Sequence, residues 1–124
     1  MSCCIVLATD QNYVRQACVT IASYALSHPT KRSDIQVLVQ GVNAAGLGLL
    51  KTTAAAFGLT LGIIPIDLEW TSRLPAKLRA GITHVSPMAY SKILALNFIP
   101  DSYSRCMVLD TDLLVVGNLD ELLL

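Results

Sequence analysis

Charge is scarce in this chain. Charged residues make up 15% of the sequence and hydrophobic residues 53%, whereas typical soluble domains have about 25% and about 45–50%. Basic and acidic residues balance at nine each, which does not favour binding to nucleic acid or to an anionic membrane. No apolar run approaches the roughly 18 residues of a membrane span, and the first residues lack the basic segment of a signal peptide. These absences predict a cytoplasmic protein without a transmembrane span.

Cysteine and histidine patterns typical of zinc sites are also missing. The sequence has no C-x-x-C pair, and its two histidines, His28 and His84, are not at ligand spacing. The pattern therefore predicts small, buried, reduced thiols rather than disulfides or zinc ligands at all four cysteines, which are Cys3, Cys4, Cys18 and Cys106.

What the sequence does contain is an alternation of strands and helices. Apolar, β-branched runs predict strands over 3–9, 35–39, 59–66 and 104–109. Apolar residues at helical spacing predict helices over 14–27, over 44–57 with Gly58 as the stop, and from Ser86 to Pro100. Residues 67–85 are predicted to be a long loop with a short helix, and His28 a solvated residue at a helix end. The order predicts one α/β domain over 1–124, with a mostly parallel sheet and helices on both faces, as in Rossmann-like folds.

Polar side chains follow three of the predicted strands. They are found in residues 10–13 after the first strand, at Asp67 after the third, and at Asp110 and Asp112 after the fourth. Ligands of such sheets bind beyond the carboxyl ends of the strands. Two carboxylates two residues apart on a bending strand end can converge on one divalent cation, and Mg²⁺ and Mn²⁺ favour such oxygen ligands. The alternative is a pair of acids in a turn with no chemical role, because Asp is common in turns.

Three stretches of the sequence resemble the N-terminal half of family 8 glycosyltransferases, which include bacterial lipopolysaccharide glycosyltransferases and glycogenin. They are IVLATDQNY at 5–13, SPMAYSK at 86–92, and VLDTDLLV at 108–115 with GNLDEL at 117–122. The resemblance covers essentially the whole chain. It implies the nucleotide-binding half of a GT-A fold. It also implies a retaining, metal-dependent enzyme that transfers a hexose from a UDP-sugar to a saccharide, lipopolysaccharide or protein acceptor.

The resemblance also implies roles for individual residues. Asp110 and Asp112 would bind Mn²⁺ or Mg²⁺, which bridges the pyrophosphate of the donor. Tyr13 would stack on the uracil, Asn12 would lie at the ribose and Lys92 would face the donor. The full set implied to contact the nucleotide-sugar is Ala8, Thr9, Asp10, Asn12, Tyr13, Lys92, Asp110 and Thr111.

Further parts of the site are implied to lie downstream. In the family a third metal ligand, a histidine of an H-x-x-G-x-x-K-type motif, follows later in the chain, as do the acceptor site and the residues beside the anomeric carbon. We therefore expect the catalytic residues beyond Leu124 and a chain truncated after the D-x-D motif. We also expect self-association, with Leu119 and residues 122–124 in the contact, or association with the missing half. We also consider a position peripheral to a membrane for the full-length parent enzyme.

Two other readings of the sequence remain open. LDTDLL at 109–114 also resembles the motif of haloacid-dehalogenase-like phosphatases, with Asp110 as nucleophile and Asp112 as acid/base. Those enzymes, however, begin with the motif and need later Lys and acidic residues, whereas only 12 residues follow Asp112 here. The second alternative is a non-catalytic fragment that binds a nucleotide or only a partner chain.

Overall fold

The computed structural model of the chain describes residues 2–66 and 97–123, and it confirms the predicted alternation over those residues. Strand β1 (Cys3–Asp10) is followed by a 3₁₀ turn (Gln11–Tyr13) and helix α1 (Val14–Ser27). The remaining elements are β2 (Asp34–Gln40), α2 (Ala44–Ala56), β3 (Leu61–Pro65), β4 (Arg105–Val108) and a short helix at Asp120–Leu123. The loop predicted over 67–85, with Asp67, and the helix predicted from Ser86 lie mostly outside the described residues.

The four described strands form one parallel sheet in the order β3-β2-β1-β4. Ile5 of β1 lies between Ile35 of β2 and Met107 of β4. Strands β1 and β2 are buried along almost their whole length, as expected for inner strands of a parallel sheet. Strand β3 pairs only with β2 among the described strands, and it ends at Pro65, a residue that edge strands tolerate.

Successive side chains of β1 point to opposite faces of the sheet and so belong to two apolar clusters. Ile5 and Leu7 pack against both described long helices, through residues that include Ile21 of α1 and Leu50 of α2. Cys4, Val6 and Ala8 pack on the other face, where segment 97–103 contributes Phe98, Ile99 and Tyr103. Helices α1 and α2 thus lie on the same face of the sheet.

Local hydrogen bonds explain where α2 begins and ends. The Asn43 side chain accepts a hydrogen bond from the Gly46 amide at 2.8 Å, which caps the helix start. Gly58 has a φ of 65°, a left-handed conformation that costs glycine little, and it ends the helix as predicted. The Leu59 amide donates to the Ala54 carbonyl at 2.9 Å, so Leu59 completes the helix end and β3 starts later than predicted.

His28 corrects one prediction from the sequence. It is 2% exposed rather than solvated. Its ring packs on Tyr24 with the ring centroids 4.4 Å apart, and both ring nitrogens have hydrogen-bond partners. A lone histidine before a proline gives no sign of this burial, because one of its partners, Leu119, is 91 residues away.

All four cysteines are free thiols, as predicted, but only Cys4 is fully buried. The other three are partly exposed. Within residues 2–66 and 97–123, no helix combines the length and apolar character needed to cross a membrane.

Candidate functional site

The parallel pairing of β1 and β4 brings two of the predicted polar segments to one edge of the sheet. Val6 is in register with Val108, and the Leu109 amide continues the ladder by donating to the Val6 carbonyl at 2.9 Å. The residues that follow Leu109 therefore leave the sheet on the side where β1 runs into Asp10. The structure thus places Asp110 and Asp112 at the same carboxyl edge as the turn after β1.

The end of β1 offers backbone groups and two exposed side chains to this edge. The side chains of Ala8 and Thr9 are buried in the protein. Asp10 accepts a hydrogen bond from the Asn12 amide at 2.9 Å, which fixes the 3₁₀ turn. Asn12 is exposed and Tyr13 is 45% exposed. The Tyr13 ring therefore has a free surface on which a flat group could stack.

The 110–112 turn presents two carboxylates to solvent while its backbone is held from beneath. Asp110 and Asp112 are exposed, and Thr111 between them is partly buried. The Thr20 hydroxyl of α1 contacts the Thr111 carbonyl at 3.1 Å and the Leu113 carbonyl at 2.6 Å. The carboxylates thus project from a turn whose main chain is anchored to a core helix.

These two acids fit part of a metal site. Hard divalent cations prefer carboxylate oxygens and commonly complete their shell with water and substrate phosphates. In the described part of the chain no group of three or more His, Cys, Asp or Glu side chains could hold a metal. Two carboxylates are suited to Mg²⁺ or Mn²⁺ that takes its remaining ligands from water and an anionic ligand.

A cavity of about 860 Å³ adjoins Asp112 on the side of the two helices. Asn12 and Asp112 line it together with Arg15, which the sequence analysis did not single out. Arg15 lies in the first turn of α1, directly after the turn that follows β1, and this position is the sequence signal for its place at the edge. Much of the remaining lining is apolar and includes Val14, Val19, Leu49, Leu113 and Leu114.

The structure therefore brings together most of the site residues predicted from the sequence. One edge of the sheet carries Ala8, Thr9, Asp10, Asn12, Tyr13, Asp110, Thr111 and Asp112. Lys92 lies outside the described residues.

Comparison with solved structures finds glycosyltransferases. The galactosyltransferase LgtC, crystallised with donor and acceptor sugar analogs, superimposes with a TM-score of 0.80 at 27% identity, over 96% of this chain and 41% of that chain. The bifunctional glycosyltransferase WbbM gives 0.70 at 21% identity, over 98% of this chain and 20% of that one. GlyE of Streptococcus pneumoniae TIGR4 gives a TM-score of 0.64 at 17% identity, over 99% of this chain and 26% of that chain. At these identities WbbM and GlyE show a shared fold alone.

The chain spans 41% of LgtC, less than half of its length. No curated protein sequence matches it significantly. A family model described as glycosyl transferase family 8 matches residues 4–124, which is nearly the whole sequence. The parallel sheet, the fold shared with LgtC and this match give one conclusion: the chain belongs to glycosyl transferase family 8.

Proposed function

We propose that this chain forms the donor-nucleotide and metal-binding part of a retaining glycosyltransferase. The reaction is transfer of a hexose from a UDP-sugar to a saccharide, lipopolysaccharide or protein acceptor, in the cytoplasm or peripheral to a membrane. One observation carries the proposal: in a family 8 chain, Asp110 and Asp112 lie exposed at the carboxyl edge of the sheet, beside the turn with Asn12 and Tyr13.

Asp110 and Asp112 are the residues that would hold Mn²⁺ or Mg²⁺. A divalent cation neutralises negative charge that develops on a departing diphosphate. The two carboxylates bind and orient such an ion at the edge of the sheet. Their anchored turn reduces the conformational entropy that they lose when an ion is bound.

The turn after β1 would bind the nucleoside. Ala8 and Thr9 have buried side chains and can contribute only their main chain, whereas Tyr13 offers its ring to the uracil and Asn12 its amide to the ribose. Asp10 and Thr111 border the same edge. Lys92 is proposed to face the donor, as the family resemblance implies.

Binding without transfer is the second candidate function for this 124-residue chain. Its basis is the 41% share of LgtC that the chain spans, since the remaining length of the relative holds residues that this chain does not match. Both candidates require nucleotide and metal binding at the same edge. The family 8 match favours both of them over the haloacid-dehalogenase-like phosphatase.

Calorimetric titration of UDP in the presence of Mn²⁺ tests the proposal. Asp110→Asn/Asp112→Asn should abolish the Mn²⁺ dependence of UDP binding, because two ligand charges are removed. Tyr13→Ala should weaken UDP binding by about 1–3 kcal/mol, the range for stacking of a base on an aromatic ring, and Tyr13→Phe should retain it.

Asp101→Asn is the matched control for charge. Asp101 is exposed and precedes β4 at the opposite edge, where Ser104 bonds to Ser2. The Asp101→Asn variant should bind UDP and Mn²⁺ like the wild type. Equal Mn²⁺-dependent UDP affinity in the wild type and in the double Asp variant would refute the proposed site. A donor-sugar hydrolysis or transfer assay then separates transfer from binding alone.

A further inference from the structure

Helix α1 carries a row of buried polar side chains that its apolar pattern does not predict. Thr20 is 1% exposed, and Ser23 and His28 are also buried. Buried polar groups require hydrogen-bond partners. These side chains find theirs largely in one distant stretch of chain, residues 111–119, which we call the post-motif segment.

Four side chains of α1 and its C-terminal end contact the backbone of the post-motif segment. Thr20 Oγ1 contacts the carbonyl oxygens of Thr111 and Leu113. Ser23 Oγ accepts from the Val115 amide at 2.9 Å, and Ser27 Oγ donates to the Val115 carbonyl at 2.9 Å.

His28 completes the row. Its Nδ1 donates to the Tyr24 carbonyl at 2.9 Å, so its Nε2 is the nitrogen that accepts from the Leu119 amide at 2.8 Å. The backbone of the segment is thus fixed to α1 at four of its nine residues, 111, 113, 115 and 119.

Apolar burial holds the middle of the post-motif segment only weakly. Leu113, Leu114 and Val116 are exposed, and no helix or strand includes residues 111–119. Val115 and Leu119 alone pack partly against the core. Hydrogen bonds to α1 and His28 are therefore the main contacts that fix the position of this backbone. Helix α1 can serve as a rigid reference because Val14, Ala17 and Ile21 are buried against the sheet.

Thr20 is the member of this row that contacts the main chain next to the carboxylate of Asp112 in sequence. Its hydroxyl touches the carbonyl oxygens of the residues on both sides of Asp112. These two contacts restrain the main chain before and after Asp112, and so they restrain the direction in which the Asp112 side chain leaves it. Ser27 acts two residues further on, by holding the Val115 carbonyl.

We propose that Thr20 and Ser27 are positioning residues, whose hydroxyl groups hold the post-motif segment so that Asp112 is presented to a divalent cation. The proposal rests on the proposed metal-binding role of Asp112. Neither hydroxyl is proposed as a ligand of the ion. Each acts through the main chain of the segment, so its loss should lower metal affinity without removing a ligand.

The test compares Thr20→Val, which keeps the shape and removes the hydroxyl, with Thr20→Ser, which keeps the hydroxyl. Thr53→Val is the matched control, because Thr53 Oγ1 donates to the Leu49 carbonyl at 2.8 Å within α2, away from the segment. Mn²⁺ affinity is read, with UDP present at a fixed saturating concentration, from the electron paramagnetic resonance signal of free Mn²⁺. Amide hydrogen exchange of residues 111–119 and the melting temperature are measured on the same samples.

Thr20→Val should bind Mn²⁺ about tenfold more weakly, the effect expected when about one net hydrogen bond is lost, with faster exchange in the post-motif segment. Thr20→Ser should restore both readouts to within about twofold of the wild type, and Thr53→Val should leave both unchanged whatever its effect on melting. Ser27→Ala, at a partly exposed position, should weaken Mn²⁺ binding by a smaller factor. It provides the test if Thr20→Val does not fold.

The outcomes separate the two proposals. If Asp112→Asn loses Mn²⁺ binding while Thr20→Val and Ser27→Ala bind like the wild type, the metal site stands and the positioning role is overturned. A Thr20→Val defect that Thr20→Ser does not rescue also overturns it. If the wild type binds no Mn²⁺ when UDP is present, both proposals fail.

Discussion

Cys4 is the second residue of β1 and has no exposed surface, in register with Asp34 on one side and Cys106 on the other. Burial raises the pKa of the Cys4 thiol from 9.0 to about 12, and the neighbouring Cys106 and Asp34 act in the same direction. A thiol that stays protonated is not a nucleophile. Cys4 is therefore a packing residue, in agreement with its prediction as a small buried hydrophobic group.

The raised pKa of Cys4 predicts a loss of stability at alkaline pH. The unfolded chain releases the Cys4 proton above about pH 9, while the folded chain keeps it up to about pH 12. The contribution to stability is therefore present in full below pH 9 and is lost as the pH rises towards 12. Chemical denaturation at neutral and alkaline pH should show this decline.

Cys4→Ala is the control for that decline. The pKa of Tyr103 is also raised, chiefly by its hydrogen bond to Asp34. Tyr103 therefore also makes the folded chain lose stability as the pH rises. Because Cys4→Ala leaves Tyr103 in place, the free energy of unfolding should fall less steeply with pH in the variant than in the wild type. Parallel curves for the two proteins would contradict the assignment.

Single residues differ in how far the sequence predicts their place. The predicted parallel direction of the strands places Asp10, Asn12 and the two acids of the D-x-D motif at one edge, because parallel strands share their carboxyl ends. The buried positions of Thr20 and His28 were not predictable in this way. Their partners are 91 to 93 residues away, and only the folded chain brings them together.

At the scale of elements, Arg32 links the ends of the two long helices. Its Nε donates to the His28 carbonyl at 2.7 Å and its Nη2 to the Ala25 carbonyl at 3.1 Å, both at the end of α1. Its Nη1 donates to the carbonyl of Phe57, the residue that directly follows α2. Helix ends leave such carbonyls unpaired and carry partial negative charge, so a planar cation with several donors suits them.

Replacing Arg32 should destabilise the fold. Arg32→Ala should lower the free energy of unfolding by about 2–3 kcal/mol, from the lost hydrogen bonds to a charged group. Arg32→Lys should recover only part of it, because an ammonium group cannot reach three acceptors in a fork. Urea denaturation measures the free energy of unfolding of both variants. Lys31→Ala, at the exposed neighbouring position, should stay within about 0.5 kcal/mol of the wild type. Full stability in Arg32→Lys would show that the fork geometry is unimportant.

Whole elements were predicted well where local patterns decide them. The predicted strands over 3–9 and 35–39 and the helix over 44–57 agree with β1, β2 and α2 to within a residue at each end, because continuous apolar runs and a glycine stop mark them. The post-motif segment was harder to predict. Its apolar residues, such as Leu114 and Val116, suggest burial, yet they are exposed because hydrogen bonds to α1 set the path of the backbone.

At the scale of the whole molecule, exposed apolar side chains gather on the helical side of the sheet. Val19, Leu49, Leu113 and Leu114 all line the cavity beside Asp112, and Leu114 is 65% exposed. Of the residues predicted to form a contact between copies, Leu119 packs partly inside the chain and Leu123 is buried. Leu122 is 72% exposed, and Leu124 lies outside the described residues.

We predict that these exposed side chains take part in self-association of the chain. Contiguous apolar surface beyond a few hundred Å² usually finds a partner, and a two-fold dimer is the commonest closed assembly. Sedimentation should therefore show reversible association at micromolar concentrations. Leu114→Glu should weaken it more than Leu122→Glu, because Leu114 shares its surface with three other apolar residues. A monomeric mass for the wild type at all concentrations tested would contradict the prediction. Equal association in the wild type and Leu114→Glu would show that the contact lies elsewhere.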